Sequence, residues 1–166
     1  MVAADLLASA FAKEGKYVQA FPSFGPERRT VPLAAFVRID EAPIRLRCEI
    51  YNPDHLIVLD PSLIRVLSIT QGLKEGGWIV VNSNKTGETY NFSSKFRVAI
   101  VDASALAVKH NLGSRTSPIV NTVMLGAFAK VTKLVGIDAI VEAIEDSIPT
   151  NKEENVAAAR ESFNKA

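Results

Sequence analysis

Leu56-Ile57-Val58-Leu59-Asp60-Pro61 is an apolar run without polar alternation that stops on an acid followed by a proline. Two further runs share this grammar: Trp78-Ile79-Val80-Val81 ends in Asn82, and Val98-Ala99-Ile100-Val101 ends in Asp102. They recur about twenty residues apart. A strand with one wet face alternates apolar and polar residues, whereas a strand covered on both faces does not. The three runs therefore predict parallel strands joined by crossovers, with helices on both faces.

Outward from these runs, the crossovers can be read. Asp60-Pro61 predicts an N-cap with proline at the first helical position, and Leu63, Ile64, Val66, Leu67 and Ile69 give that helix an apolar face. Gly72 and Gly76-Gly77 return the chain to the next strand. The polar stretch between Asn82 and Arg97 reads as a loop or small extra hairpin, and Asp102 caps a helix over Ala103–His110. Upstream, Val2, Ala3, Leu6, Leu7, Ala10 and Phe11 recur at helical spacing up to a stop at Gly15. Extended stretches follow at Tyr17–Phe21, Ala34–Ile39 and Ile44–Ile50, the last two close enough to pair as a hairpin.

Downstream, Asn111–Pro118 reads as an irregular polar segment. It leads into a helix starting near Ile119 or Asn121 and running to about Leu134. Val120, Val123, Met124, Ala127, Val131 and Leu134 form its predicted buried stripe, Gly126 and Ala127 permit close packing, and Gly136 ends it. Ile137–Ile148 is a second amphipathic helix, stopped by Pro149. Asn151 with Glu154 predicts a capping-box start for a last helix reaching Phe163. Neither a repeat nor a domain boundary interrupts residues 1–166. The expected fold is one α/β domain: a three-layer αβα arrangement with a mixed, partly parallel sheet and a helical C-terminal third.

Composition narrows the function. Nineteen basic and 18 acidic residues are spread evenly to a net charge of +1, without the concentrated basic patch that nucleic acid or a membrane surface requires. No apolar run is long enough to span a membrane, and no signal peptide follows Met1, so a cytoplasmic location is the default expectation. The lone Cys48 can form no internal disulfide and cannot hold an iron–sulfur cluster, and its place after Ile44-Arg45-Leu46-Arg47 suits a small half-buried strand residue. His55 and His110 sit in or beside apolar segments and read as structural or surface residues, so no metal site is expected.

Catalytic motifs are missing. The chain has no GxGxxG, no GxxxxGK[ST], and no Gly-Asp-Gly followed by paired asparagines of the kind that holds thiamine diphosphate. Asp60, Asn82 and Asp102 stand where parallel strands end and ligands bind, although helix capping alone accounts for both acids. Ser117-Pro118, ahead of Asn121-Thr122 in the first turn of a helix, offers backbone amides to an anion, a pattern shared with ordinary helix starts. The most unusual loop is Tyr17-Val18-Gln19-Ala20-Phe21-Pro22-Ser23-Phe24-Gly25-Pro26-Glu27-Arg28-Arg29. Two prolines, aromatic residues and adjacent arginines suggest a shaped surface; a rigid hairpin loop with a solvated charge cluster explains it equally well. An enzyme acting alone is disfavoured, and a subunit that completes another chain's active site fits better.

Three segments together resemble the gamma subunit of the pyruvate (2-oxoacid):ferredoxin oxidoreductases. They are Gly15–Arg29, then Pro43-Ile44-Arg45-Leu46-Arg47 continuing through Asn52-Pro53-Asp54 to Val58-Leu59-Asp60-Pro61, then Pro118-Ile119-Val120-Asn121-Thr122-Val123-Met124-Leu125-Gly126-Ala127. The resemblance implies a subunit of a complex that oxidatively decarboxylates pyruvate or a related 2-oxoacid to acyl-coenzyme A and CO2 while reducing ferredoxin. It implies that this chain alone binds no cofactor and carries no catalytic residue. Thiamine diphosphate, magnesium and iron–sulfur clusters would belong to alpha, beta and delta partner subunits, with coenzyme A as co-substrate, in a cytoplasmic, anaerobic metabolism. By position, Phe24, Gly25, Pro26, Glu27, Arg28, Arg29, Pro118, Asn121 and Thr122 would face the coenzyme A side or a subunit interface. Arg28 and Arg29 suit phosphate or carboxylate, and a salt bridge between subunits is equally open to them.

Two departures from the family pattern stand out. Relatives begin with a strand and a glycine-rich loop before the first helix, and both are apparently missing here, since Met1-Val2-Ala3-Ala4 is already helical in pattern. Thr30-Val31 also stands where relatives have Gly-Ala. The same scaffold could serve a 2-oxoisovalerate, aryl-pyruvate or 2-oxoglutarate oxidoreductase, or be a non-catalytic binding or assembly module.

Overall fold

The computed structural model describes residues 1–23, 34–46 and 48–166. Its elements, in chain order, are α1 (Val2–Lys13), β1 (Tyr17–Pro22), β2 (Ala35–Asp40), β3 (Leu56–Val58), α2 (Leu63–Val66) and β4 (Trp78–Asn82). A 3-10 turn at Gly87–Tyr90 precedes β5 (Arg97–Val101) and α3 (Ala103–Lys109). Then come β6 (Gly113–Ser114), β7 (Ser117–Pro118), α4 (Asn121–Thr132), α5 (Ile137–Ser147) and α6 (Lys152–Lys165).

The three apolar runs pair as parallel strands in the order β3-β4-β5, with Val58 opposite Val81 and Val80 opposite Ala99. Ile79, Val80 and Val81 are wholly buried, as continuous apolarity requires of a central strand. Val80 faces the main core with α1, α3 and α4, while Ile79 and Val81 face a smaller cluster with Val58 and Leu73. That second face is covered by Ile64 and Ile69 and by Tyr90, Phe92 and Phe96, which come from short or irregular segments.

β1 and β2 form a separate antiparallel ribbon, in register from Tyr17 opposite Asp40 to Pro22 opposite Ala35, with α1 packed on both strands. The predicted pairing of Ala34–Ile39 with Ile44–Ile50 is incorrect: β2 pairs back to β1. The described residues of the later stretch form no strand. Their carbonyls are taken by side chains instead: Arg38 donates to Leu46 O at 3.3 Å and to Cys48 O at 3.0 Å, and Pro43 brings no ladder donor. Cys48 is correspondingly exposed, not half-buried in a strand.

The predicted helix after Asp60-Pro61 shrinks to the single turn α2, whose N-cap is Ser62, and Val66 is 77% exposed. Asp60 accepts the Ser62 N–H at 2.9 Å, an Asx turn that competes with helical capping. α4 also departs from its predicted single stripe. Every residue from Thr122 to Ala129 is buried, because α4 meets α1, α3, α5, α6 and both β4 and β5; Leu134, assigned to the stripe, is exposed. The helix ends at Lys133, in the left-handed conformation, before Gly136. α6 forms where the sequence places it, but without the capping box. Asn151 adopts φ 53° and makes no side-chain cap; its carbonyl accepts both the Asn155 N–H at 3.0 Å and the Asn155 side-chain amide at 2.8 Å.

α4 and α6 approach closely because Gly126 has no side chain: a Cβ there would lie 2.0 Å from the Ala159 carbonyl oxygen. The sheet is joined to α4 through His55, whose Nδ1 accepts the Trp78 N–H at 3.1 Å and whose ring meets Phe128 edge-on at 6.0 Å. Burial lowers the pKa of His55 below its ordinary value.

Two outcomes follow from this packing. Gly126→Ala gains about 1 kcal/mol of helix propensity yet must push two backbones apart, so we expect a net loss of about 1–3 kcal/mol, read as a lower urea midpoint at unchanged slope. His55 favours the neutral form when folded, so the unfolded chain binds the extra proton. Stability is therefore full above the unfolded pKa of 6.5 and falls as pH drops below it. Urea melts at successive pH values should lose this slope in His55→Asn.

Candidate functional site

The carboxyl edge of a parallel sheet is where α/β proteins place ligands. Here that edge is occupied by internal bonds. Asn82, at the end of β4, is 6% exposed. Its side-chain amide donates to Leu59 O at 2.9 Å and to the Ser104 hydroxyl at 3.1 Å, and its oxygen accepts the Ser104 N–H at 3.2 Å. One amide thus ties the exit of β3 to the start of α3, across the strand that lies between them. Asp102 accepts the Ala105 N–H at 2.9 Å, the predicted N-cap. Ser83, also buried, accepts from Lys85 N at 2.9 Å and from the Tyr90 hydroxyl at 2.5 Å. Chemically, this edge holds three strand ends at fixed spacing.

The second predicted region, Pro118 to Thr122, is built differently. Leu112 is 1% exposed and anchors the segment, donating its N–H to Ala107 O at 2.8 Å and accepting from Ile119 N at 2.9 Å. Between these anchors, Asn111–Pro118 is not irregular throughout. Gly113 pairs with Pro118 and Ser114 with Ser117, making β6 and β7 a short hairpin. Gly113 has φ +80°, and a Cβ there would stand 2.4 Å from Ser117 O. The glycine and the Ser/Thr cluster around Arg115 were the sequence signals for this turn.

Pro118 is half-buried, Ile119 is 49% exposed, and Asn121 stands half-buried as the first residue of α4. Thr122 points inward. It is 1% exposed, and its hydroxyl donates to Asn155 Oδ1 at 2.8 Å, bridging α4 to α6. Of the residues at this helix start, Pro118 and Asn121 remain towards the surface. Phe24, Gly25, Pro26, Glu27, Arg28 and Arg29 lie outside the described residues. The chain on either side of them is held by Ser23 N donating to Ala34 O at 2.9 Å and by the Phe21 and Phe36 rings at 5.4 Å.

Near α3, Glu161 gathers Lys109 at 2.7 Å, Lys165 at 2.6 Å and His110 at 2.6 Å. Hydrogen bonds from Lys109, Lys165 and His110 pull its carboxyl down to about 2. Among the described residues, no group of three or more His, Cys, Asp and Glu side chains is placed to hold a metal ion, and no helix is long and apolar enough to cross a membrane.

Replacing Asn82 by alanine strips the partners from the Leu59 carbonyl and the Ser104 N–H together. Each unsatisfied buried group costs about 1–3 kcal/mol. We therefore expect Asn82→Ala to cost about 2 kcal/mol or more in a denaturation melt, with faster amide exchange at the exits of β3 and β5.

Comparison with known proteins bears on these surfaces. Residues 1–165 match the family described as pyruvate ferredoxin/flavodoxin oxidoreductase. The "pyruvate/ketoisovalerate oxidoreductases common subunit gamma" of Thermococcus kodakarensis is 48% identical, over 99% of this chain and 89% of that protein. The pyruvate synthase subunit PorC of Methanothermobacter marburgensis is 45% identical, with coverage of 99% and 89%. The crystal structure of pyruvate oxidoreductase subunit PORC from Thermotoga maritima superposes with a TM-score of 0.79 at 36% identity, covering 98% of this chain and 87% of that one. The α/β architecture, with its parallel strands and helical C-terminal part, is shared with these subunits, and the chain belongs to the pyruvate ferredoxin/flavodoxin oxidoreductase family, among its gamma-type subunits.

Proposed function

We propose that this chain acts as the gamma subunit of a complex that oxidatively decarboxylates pyruvate or a related 2-oxoacid. In that reaction the bond between the carboxylate and the oxo carbon breaks and CO2 leaves. The acyl group passes to the sulfur of coenzyme A, and two electrons pass to ferredoxin. The observation that carries this reading is the agreement, over nearly the whole chain, with subunits named for that oxidoreductase. The commitment of the strand-end polar groups to internal bonds supports a supporting part in the reaction, not a catalytic one.

Thiamine diphosphate with magnesium, which supplies the decarboxylation chemistry, and the iron–sulfur clusters that carry electrons are assigned to the alpha, beta and delta partners. This chain's contribution is a shaped surface towards coenzyme A or a neighbouring subunit. The arginines Arg28 and Arg29 and the Pro118–Asn121 segment are its candidate residues, in a cytoplasmic complex. One relative is named as a subunit common to pyruvate and ketoisovalerate oxidoreductases, which favours substrate choice being made by other chains.

Expressed with its genomic neighbours, the chain should co-purify with them and be needed for ferredoxin reduction by pyruvate and coenzyme A. Elution alone, while the neighbours stay active, would refute the reading. The double variant Arg28→Ala, Arg29→Ala should raise the apparent KM for coenzyme A by about tenfold with the complex intact. Loss of assembly instead would place the arginines at a subunit interface.

A further inference from the structure

The hairpin between α3 and α4 is more constrained than a connection needs to be. Its turn residues are Arg115 and Thr116, and neither adopts positive φ. Turns of that kind do not match the twist of paired strands and splay them apart. The ladder accordingly stops after two residue pairs. The hairpin is closed instead by hydroxyls: Ser114 Oγ accepts the Ser117 N–H at 3.1 Å and lies 3.1 Å from Thr116 Oγ1. Gly113 allows the close return of Ser117 O, and the buried Leu112 fixes the base. The product is a short closed hairpin packed beside α3, with one long side chain in its turn.

That side chain is Arg115, exposed and without an ion pair among the described residues. At the end of α3, Lys109 and His110 are both held by Glu161. Beside the hairpin stands Ile119, about half exposed. A single guanidinium bordered by an apolar side chain has the composition of an interface anchor. A polyanionic coenzyme would call for several converging free cations, and among the described residues here Lys109 is already held by Glu161, which leaves Arg115. We infer that the Gly113–Pro118 hairpin is a docking finger that carries Arg115 to a carboxylate on a partner subunit, with Ile119 filling an apolar seat beside it. This rests on the gamma-subunit reading.

The test measures the affinity of the full chain for the remaining subunits, co-expressed without it. Arg115→Ala should weaken binding by about tenfold with no change in the chain's own melting temperature. Arg115→Lys should fall between the two, because it keeps the charge and loses the fork. Ser114→Ala, which keeps the arginine but unlocks the hairpin, should weaken binding in the same direction. Arg115→Ala binding as tightly as the native chain overturns the inference. So does unchanged affinity with a raised apparent KM for coenzyme A, which would give the arginine a phosphate instead. If the native chain itself fails to bind those subunits, it is the gamma-subunit reading that falls.

Discussion

The contact on which the rest of the structure depends is the approach of α6 to α4 at Gly126 and Ala159. A helix that is apolar around its whole circumference is stable in water only if every side is covered. The parallel sheet covers one side of α4, and α1, α3 and α5 cover others; α6 makes the most extensive contact. The fit is tight enough that a methyl group is excluded, and the polar pair within it, Thr122 and Asn155, is mutually satisfied. Ser162 is the exception, a wholly buried hydroxyl with no partner among the described residues. Such a group is tolerated where the surrounding packing over-determines the helix position.

This way of building a core governs where function can reside. With α4 at the centre, the sheet is a small three-stranded piece whose carboxyl edge must be closed to hold its strands in place, and Asn82 closes it. The residues proposed for partners belong to two connections, the one joining β1 to β2 and the hairpin joining α3 to α4. Both are held at their bases by backbone hydrogen bonds, Ser23 to Ala34 in one case and Ile119 to Leu112 in the other.

Much of this was legible in the sequence. The parallel strands could be read because unalternating Val and Ile leave no other exposure pattern, and α1 and α5 because their apolar spacing is helical; α6 was placed by a capping box that does not form. The Asp102 cap was equally plain. What escaped were features decided by tertiary context. Arg38 reaches across to the carbonyls of Leu46 and Cys48, and that is a long-range choice no local propensity encodes. α2 collapsed to one turn because an Asx turn at Asp60 competed with capping. α4 was read as striped because a sequence window cannot say how many neighbours a helix will have. At the candidate site, Pro118 and Asn121 are half-buried, and the inward turn of Thr122 depends on Asn155, far along the chain.

The order of synthesis gives the α4–α6 contact a further meaning. α4 leaves the ribosome before α6, so for the time taken to make residues 133–165 its apolar circumference has no cover on the side that faces Ala159. Translation at about 5–20 residues per second makes that interval a matter of seconds, long compared with helix formation. During it, Met124, Leu125 and Phe128 belong to a partly built core of the kind chaperones recognise. α6 is therefore the element that covers this side of α4: until it docks, the nascent chain has its parallel sheet and its central helix but an open face on that helix.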